Sequence, residues 1–306
     1  MDRIRKILVP VDFSECSRPA LDQAIGLARK TSAELTLMHV WQEAAFLAAA
    51  REKRDAAETT LAFSSSAYQR AQRELGRLAS EAFGRGVPVK TAWYGRGVPS
   101  RLIVDVARNG NFDLAVMGTH GLSGLDHALV GSVVEKVLRR APCPVLSVRP
   151  GLGFPREIRR ILAPVDLSEC SGLVLRTALD LATLLGAEIR AVHVWDRPAW
   201  VSDSLKVHVG GTLQPLHELV IQNEQRSLEE FLASVPGSAG KVSHRLLTGE
   251  PVAAVLKELE QGGYDLCVLA THGRSGIRHL LLGSVTEKLV RLAKVPVLTV
   301  PPRVRA

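Results

Sequence analysis

Two stretches of this chain place glycines where a backbone could close around phosphate. The first runs Gly118-x2-Gly121-x9-Gly131-Ser132 and the second Ala270-x2-Gly273-x9-Gly283-Ser284. Each follows a short apolar run and leads into an amphipathic one, so each reads as a loop from strand to helix. Glycine lets a backbone approach a ligand closely. The N–H groups that open a helix, here those of Gly131, Ser132 and Val133, can hold phosphate oxygens, and Ser132 adds a hydroxyl donor. An acid ends another apolar run in each half: Asp12 in the first, Asp166 in the second. Ligands of open α/β sheets sit beyond the carboxyl ends of the strands. Asp12 therefore falls at the same sheet edge as the glycine loop, where it can accept from a ribose or adenine group.

The loops belong to two copies of one pattern. Residues 6–41, KILVPVDFSECSRPALDQAIGLARKTSAELTLMHVW, return as residues 160–195, RILAPVDLSECSGLVLRTALDLATLLGAEIRAVHVW. Residues 118–132, GTHGLSGLDHALVGS, return as residues 270–284, ATHGRSGIRHLLLGS. Asp12 and Asp166 are 154 apart, whereas Gly131 and Gly283 are 152 apart, so the second copy has lost two residues in between. A period this long is a whole domain rather than a solenoid unit.

The elements that must position these residues alternate in type. Residues 7–11 suit a buried parallel strand. Ser14 and Ser17 are helix-start residues with Pro19 in the first turn. Ala20, Leu21, Ala24, Ile25, Leu27 and Ala28 then recur at helical spacing. A strand over 34–40 follows. A long Ala/Glu/Arg-rich helical stretch comes next, over about residues 44–83, with a break near Ser64–Ser66. Beyond it lie a strand over 87–94, a helix over 99–108, a strand over 114–117, a helix from Gly131 to Arg140 and a strand over 145–148. The order βαβαβαβαβ predicts an α/β fold. The second half repeats it from 158 to 300, although residues 196–240 match the first half poorly. The expectation is two tandem doubly wound five-stranded parallel-sheet (Rossmann-like) domains, 1–149 and 158–306. The Gly/Pro-containing stretch 149–157 links them.

Composition narrows the class. The start shows no apolar signal-peptide core, and no stretch approaches a membrane span, so the expected location is cytoplasmic. Four cysteines without a CxxC pair suggest free thiols. The net charge of +8 and pI near 9.6 invite a nucleic-acid reading. The basic residues do not cluster, however, and no aromatic-rich basic stripe accompanies them, so a solvated surface explains the charge better.

Other residues carry less. His120 and His272 sit inside the loops, where packing is a simpler role than contact with a phosphate or a metal-bound water. His39 and His193 read as strand residues near the sheet's edge with no assigned chemistry. Cys16 and Cys170 precede the first helix of each half, where a thiol pKa can fall, but no resolving cysteine stands beside them. Cys143, between two prolines, and Cys267 read as packing residues. No Walker A lysine, paired acids or Ser-His-Asp order is present, and no catalytic residue is assigned. Slow hydrolysis with a metal ion is the most such a site supports.

The duplicated PVDFS (10–14) and PVDLS (164–168), the HVW segments (39–41 and 193–195), the glycine motif and the ends APCPVLSV and AKVPVLTV together resemble the universal stress protein family, of the tandem two-domain type. The resemblance covers both halves except their variable middles. It implies an ATP site, with or without magnesium, in each half. In the first, Asp12 and the backbone of Val40 would hold adenosine and Gly118 would lie near the ribose, while Gly121, Gly131, Ser132 and Val133 would line the phosphates. The matching second set is Asp166, Val194, Ala270, Gly273, Gly283, Ser284 and Val285. Ala270 departs from the family's first glycine, and Arg274, where the first copy has Leu122, would add a charged donor. The resemblance also implies that the last strands of the halves pair, making the chain an internal pseudo-dimer, with a homodimer as a further step. The function so implied is an ATP-binding stress-response switch acting slowly through partner proteins. The rivals are an adenine-nucleotide-cleaving enzyme of the same broad fold and a scaffold with vestigial pockets.

Overall fold

The computed structural model describes residues 4–40, 57–94, 97–119, 131–151, 157–198, 200–202, 204–273 and 282–302. One compact unit falls within residues 2–156 and a second within 157–302.

The first unit contains β1 (Lys6–Pro10), α1 (Ser17–Thr31), β2 (Glu34–Val40), α2 (Ala57–Gly84), β3 (Val89–Tyr94), α3 (Pro99–Asn109), β4 (Leu114–Gly118), α4 (Ser132–Arg140) and β5 (Val145–Val148). Ile7, Leu8 and Val9 are wholly buried, as expected of a strand with both faces covered. The sheet is parallel, in the order β5-β4-β1-β2-β3. β1 pairs with β2 from Lys6↔Glu34 to Pro10↔Met38 and with β4 at Ile7↔Leu114 and Leu8↔Ala115. The chain builds outward from β1 to β3, then returns past β1 to add β4 and β5. Right-handed crossovers place helices of the outward and return legs on opposite faces. Accordingly α1 packs on β1 and β4, α2 on β2 and β3, and α3 and α4 pack on each other.

The reversal lies between β1 and β4, and the crevice beyond their carboxyl ends is where ligands bind in such sheets. Residues 12 and 118 are adjacent to it because of strand order alone.

The second unit contains β6 (Arg160–Pro164), α5 (Glu169–Leu185), β7 (Glu188–Trp195), β8 (Lys206–Val209), β9 (Thr212–Pro215), α6 (Leu216–Ser234), β10 (Val242–Thr248), α7 (Pro251–Gly262), β11 (Leu266–Ala270), α8 (Ser284–Leu292) and β12 (Val297–Val300). Its parallel sheet runs β12-β11-β6-β7-β10, with the reversal between β6 and β11.

Three features depart from expectation. Helix α2 runs unbroken through Ser64–Ser66, because serine in a helix costs well under 1 kcal/mol per residue and does not stop a long one. Residues 44–56 lie outside the described part. The poorly matching middle of the second half folds an added antiparallel hairpin, β8–β9, with Val209 opposite Thr212. Its turn residues Gly210 and Gly211 have φ of 56° and 84°. Two left-handed residues make the turn whose twist suits a tight hairpin.

The helix starts differ as well. α1 begins at Ser17, whereas α5 begins at Glu169, which aligns with Glu15. A helix starting at Glu15 would need an N–H from Pro19 to bond the Glu15 carbonyl, and proline has none. Leu173 occupies the matching place in α5, so that helix starts two residues sooner.

Candidate functional site

Each unit holds its acid at the sheet edge by the same device. In the first, Asp12 Oδ1 accepts from Ser14 N at 3.1 Å, Ser14 Oγ at 2.6 Å and Ser17 Oγ at 2.5 Å. In the second, Asp166 Oδ1 accepts from Ser168 N at 3.1 Å, Ser168 Oγ at 2.5 Å and Ser171 Oγ at 2.6 Å. The chain between acid and serine passes through a left-handed residue, Phe13 or Leu167, each with φ of 63°. Such a backbone costs a non-glycine residue about 1–2 kcal/mol. It recurs in both copies because the Asp–Ser bonds hold the turn closed. Ser14, expected as a helix-start residue, does not cap α1, whose N-cap is Cys16. In the second unit Ser168 does both jobs, capping α5 by accepting from Ser171 N.

A histidine fixes the residue before each acid. His39 Nδ1 lies 2.7 Å from the Val11 carbonyl, and His193 Nδ1 lies 2.8 Å from the Val165 carbonyl. A carbonyl only accepts, so Nδ1 carries the proton in both rings. The His39 ring also packs against Phe13, with centroids 4.4 Å apart. Burial, opposed by the Val11 bond and Asp12, pushes the His39 pKa down. These histidines are positioning residues that sequence reasoning left without a role. They stand on β2 and β7, each second from the end of its sheet order, and the available signal was their constant distance from the acid, 27 residues in both copies.

Opposite the acid, a helix opens. Gly131 is the N-cap of α4 and Gly283 that of α8. The Gly131 N–H is not free, contrary to the sequence reading: it donates to the Thr119 carbonyl at 2.8 Å, and Gly283 N–H donates to Thr271 at 2.9 Å. Those bonds dock the helix start on the strand end. The amides of the first helical turn therefore begin one residue later, at Ser132 and Val133, and at Ser284 and Val285. A glycine N-cap has no side chain with which to occupy them.

In the second unit these parts enclose a cavity of about 390 Å³. Its wall includes Asp166, His193, Val194, Gly273, Ser284 and Val285, and it continues over Ala270, Gly283 and Thr286. Gly283 has an ordinary φ of −60°. Among the described residues, a Cβ on it would meet nothing nearer than the Thr271 carbonyl at 3.5 Å. Neither its conformation nor its packing against the described residues requires glycine there, and its missing side chain leaves the cavity open beside the helix start. Gly273 is tighter, since a Cβ would come within 2.9 Å of Asp166 Oδ2.

A family model described as the universal stress protein family matches residues 3–149 and again 157–301. The chain belongs to the universal stress protein family. A universal stress protein of Mycolicibacterium smegmatis is 28% identical over 309 residues, covering 97% of each chain. Universal stress protein YxiE of Bacillus subtilis is 33% identical over 158 residues, covering 47% of this chain and 98% of that one. The crystal structure of a universal stress protein from Archaeoglobus fulgidus superposes with a TM-score of 0.68 at 20% identity, over 97% of this chain and 98% of that one. That structural likeness speaks to the fold.

With two universal stress domains to compare, the Gly118/Ala270 difference finds a local cause. A Cβ on Gly118 would lie 2.5 Å from the Cys16 carbonyl oxygen and 2.9 Å from its carbon. Gly118 is absent from the positive-φ glycines, so the crowding comes from α1's start. In the second domain α5 has already begun before Cys170, and an alanine is accommodated.

Val40 and Val194 lie at or near the ends of β2 and β7 and are half-buried. Gly121, Arg274 and His120 lie outside the described residues. His272 is on the cavity wall, with its Nδ1 2.9 Å from Thr271 Oγ1. The thiols are not activated: burial first, then Asp12 and Glu15, raises the Cys16 pKa, and burial, Asp166 and Glu169 raise that of Cys170. Burial pushes Cys143 up to about 12. Among the described residues, no helix is long and apolar enough to cross a membrane.

Proposed function

We propose that each half binds an adenine nucleotide, ATP foremost, and that the protein acts as a slow nucleotide-dependent switch that works through partner proteins. One observation carries the reading: in the second unit, a cavity of about 390 Å³ lies between a hydrogen-bonded carboxylate and the N-terminus of α8. The size is ordinary for a small-molecule site, roughly 300–1,000 Å³. The two walls differ in kind. Ser284 and Val285 amides, with the positive end of the helix behind them, favour phosphate. Asp166 repels phosphate and suits a donor-bearing group such as a base or sugar. A ligand with an anionic end and a donor end fits that polarity.

The first unit supports the same reading through the same parts: Asp12 held by two serines, and α4 opened by Gly131. The assignment gives Asp12, Val40 and Gly118 to adenosine and Ser132 and Val133 to phosphate, with Gly131 leaving room. No residue is assigned to proton transfer or nucleophilic attack, since the acid at each site has one oxygen engaged by serines. Turnover, where it occurs, would be slow.

Mass spectrometry of small molecules released from the purified protein tests the reading. An adenine nucleotide is the expected find. A chain that carries none, and whose melting temperature does not move with added ATP, would favour a scaffold with vestigial pockets.

A further inference from the structure

We propose that Thr286 reads a sugar hydroxyl of the ligand in the second unit, giving that site a selectivity the first cannot have. The proposal rests on the nucleotide reading above and adds a residue to it. Thr286 lies in the first turn of α8 and on the cavity wall. Its hydroxyl donates to the Ala270 carbonyl at 2.7 Å. Its oxygen is 3.6 Å from where a Cβ on Gly283 would sit, so it stands beside the opening that glycine leaves.

The direction of that hydrogen bond decides what Thr286 can recognise. A hydroxyl has one proton and two lone pairs. With the proton committed to Ala270, the oxygen can only accept. It offers nothing to a phosphate oxygen and disfavours one nearby, although it sits in a helix turn that otherwise attracts anions. The group it suits is a neutral donor, and on a nucleotide the neutral donors away from the base are the sugar hydroxyls. Phosphate is thereby directed to Ser284 and Val285, one turn edge further out. The first unit has Val134 at this position, equally buried at 5% exposure, and an isopropyl group makes no such bond.

The test uses the full chain carrying Gly131→Glu to silence the first site, titrated calorimetrically with adenosine, 2′-deoxyadenosine and 3′-deoxyadenosine. Adding Thr286→Val, which copies the first unit, should weaken adenosine by about 2- to 10-fold, the range for one neutral hydrogen bond. The deoxy analogue lacking the contacted hydroxyl should bind both proteins alike, which tells the 2′ from the 3′ group. Thr286→Ser should behave as the parent. Equal loss for all three ligands, no loss for adenosine, or a serine variant as weak as the valine variant would overturn the role of Thr286 while leaving nucleotide binding intact. A parent protein that binds none of the three would overturn the underlying reading together with it.

Discussion

The carbonyl of Cys16 fills the space in which a side chain on residue 118 would begin, 2.5 Å from an ideal Cβ. Glycine at the end of β4 is thus set by the start of α1, which Pro19 delays relative to its counterpart in the second unit. Both groups in the clash are backbone, so neither can swing aside.

Gly118→Ala should therefore destabilise the first unit by about 1–3 kcal/mol, the cost of forcing a methyl into a packed site. Ala270→Gly in the second unit should cost only up to about 1 kcal/mol, from added backbone freedom. Urea unfolding of the two variants measures the difference. Similar small effects at both positions would show that the Cys16 contact does not dictate the glycine.

Much of this architecture is readable from residues. The repeat, the βαβαβ alternation and the apolar runs at 7–11 and 145–148 specify five parallel strands per unit, because period and length distinguish strand from helix. The Asp and glycine positions follow from strand order. What escaped has physical reasons. The β8–β9 hairpin had a signal in Gly210-Gly211, but each of its strands is only four residues long, too short for the alternation in Lys206–Val209 to stand out from chance. The hydrogen bond that takes up the Gly131 N–H depends on Thr119, twelve residues earlier, and the bond from Thr286 depends on Ala270. Tertiary bonds of this kind have no sequence period. The histidine anchors were hidden because a buried strand histidine looks the same whether or not it fixes a neighbour.

Cys16 and Cys170 should be poor nucleophiles. Burial and the neighbouring carboxylates raise both pKa values, so near neutral pH less thiolate is present than on a free cysteine. Iodoacetamide should label them more slowly than it labels free cysteine. Asp12→Asn should speed labelling of Cys16 modestly, since burial is the larger cause and remains. Labelling faster than free thiol would contradict the assignment.

His39 should make the first unit acid-sensitive. Its pKa is lower when folded than unfolded, mainly through burial. Between those two values the unfolded chain binds more protons, so stability rises with pH there. The contribution is fully present above the unfolded value of about 6.5 and is lost as pH falls through the folded value. His39→Gln, which can still donate to the Val11 carbonyl, should flatten the fall in melting temperature between about pH 7 and pH 5. An unchanged slope would remove His39 from the account.

The central claim, one adenine-nucleotide site per half at the α4 and α8 starts, is tested most directly by the calorimetric stoichiometry of ATP. A glutamate at residue 131 or 283 places bulk and negative charge where phosphate is assigned. At 283 the first side-chain atom has room, with nothing among the described residues nearer than 3.5 Å, so the fold should survive. The account predicts two ATP per chain for the parent, one for Gly131→Glu, one for Gly283→Glu and none for the double variant, with melting temperatures of the ligand-free proteins little changed. Two ATP bound by the double variant, or none by the folded parent, would contradict it.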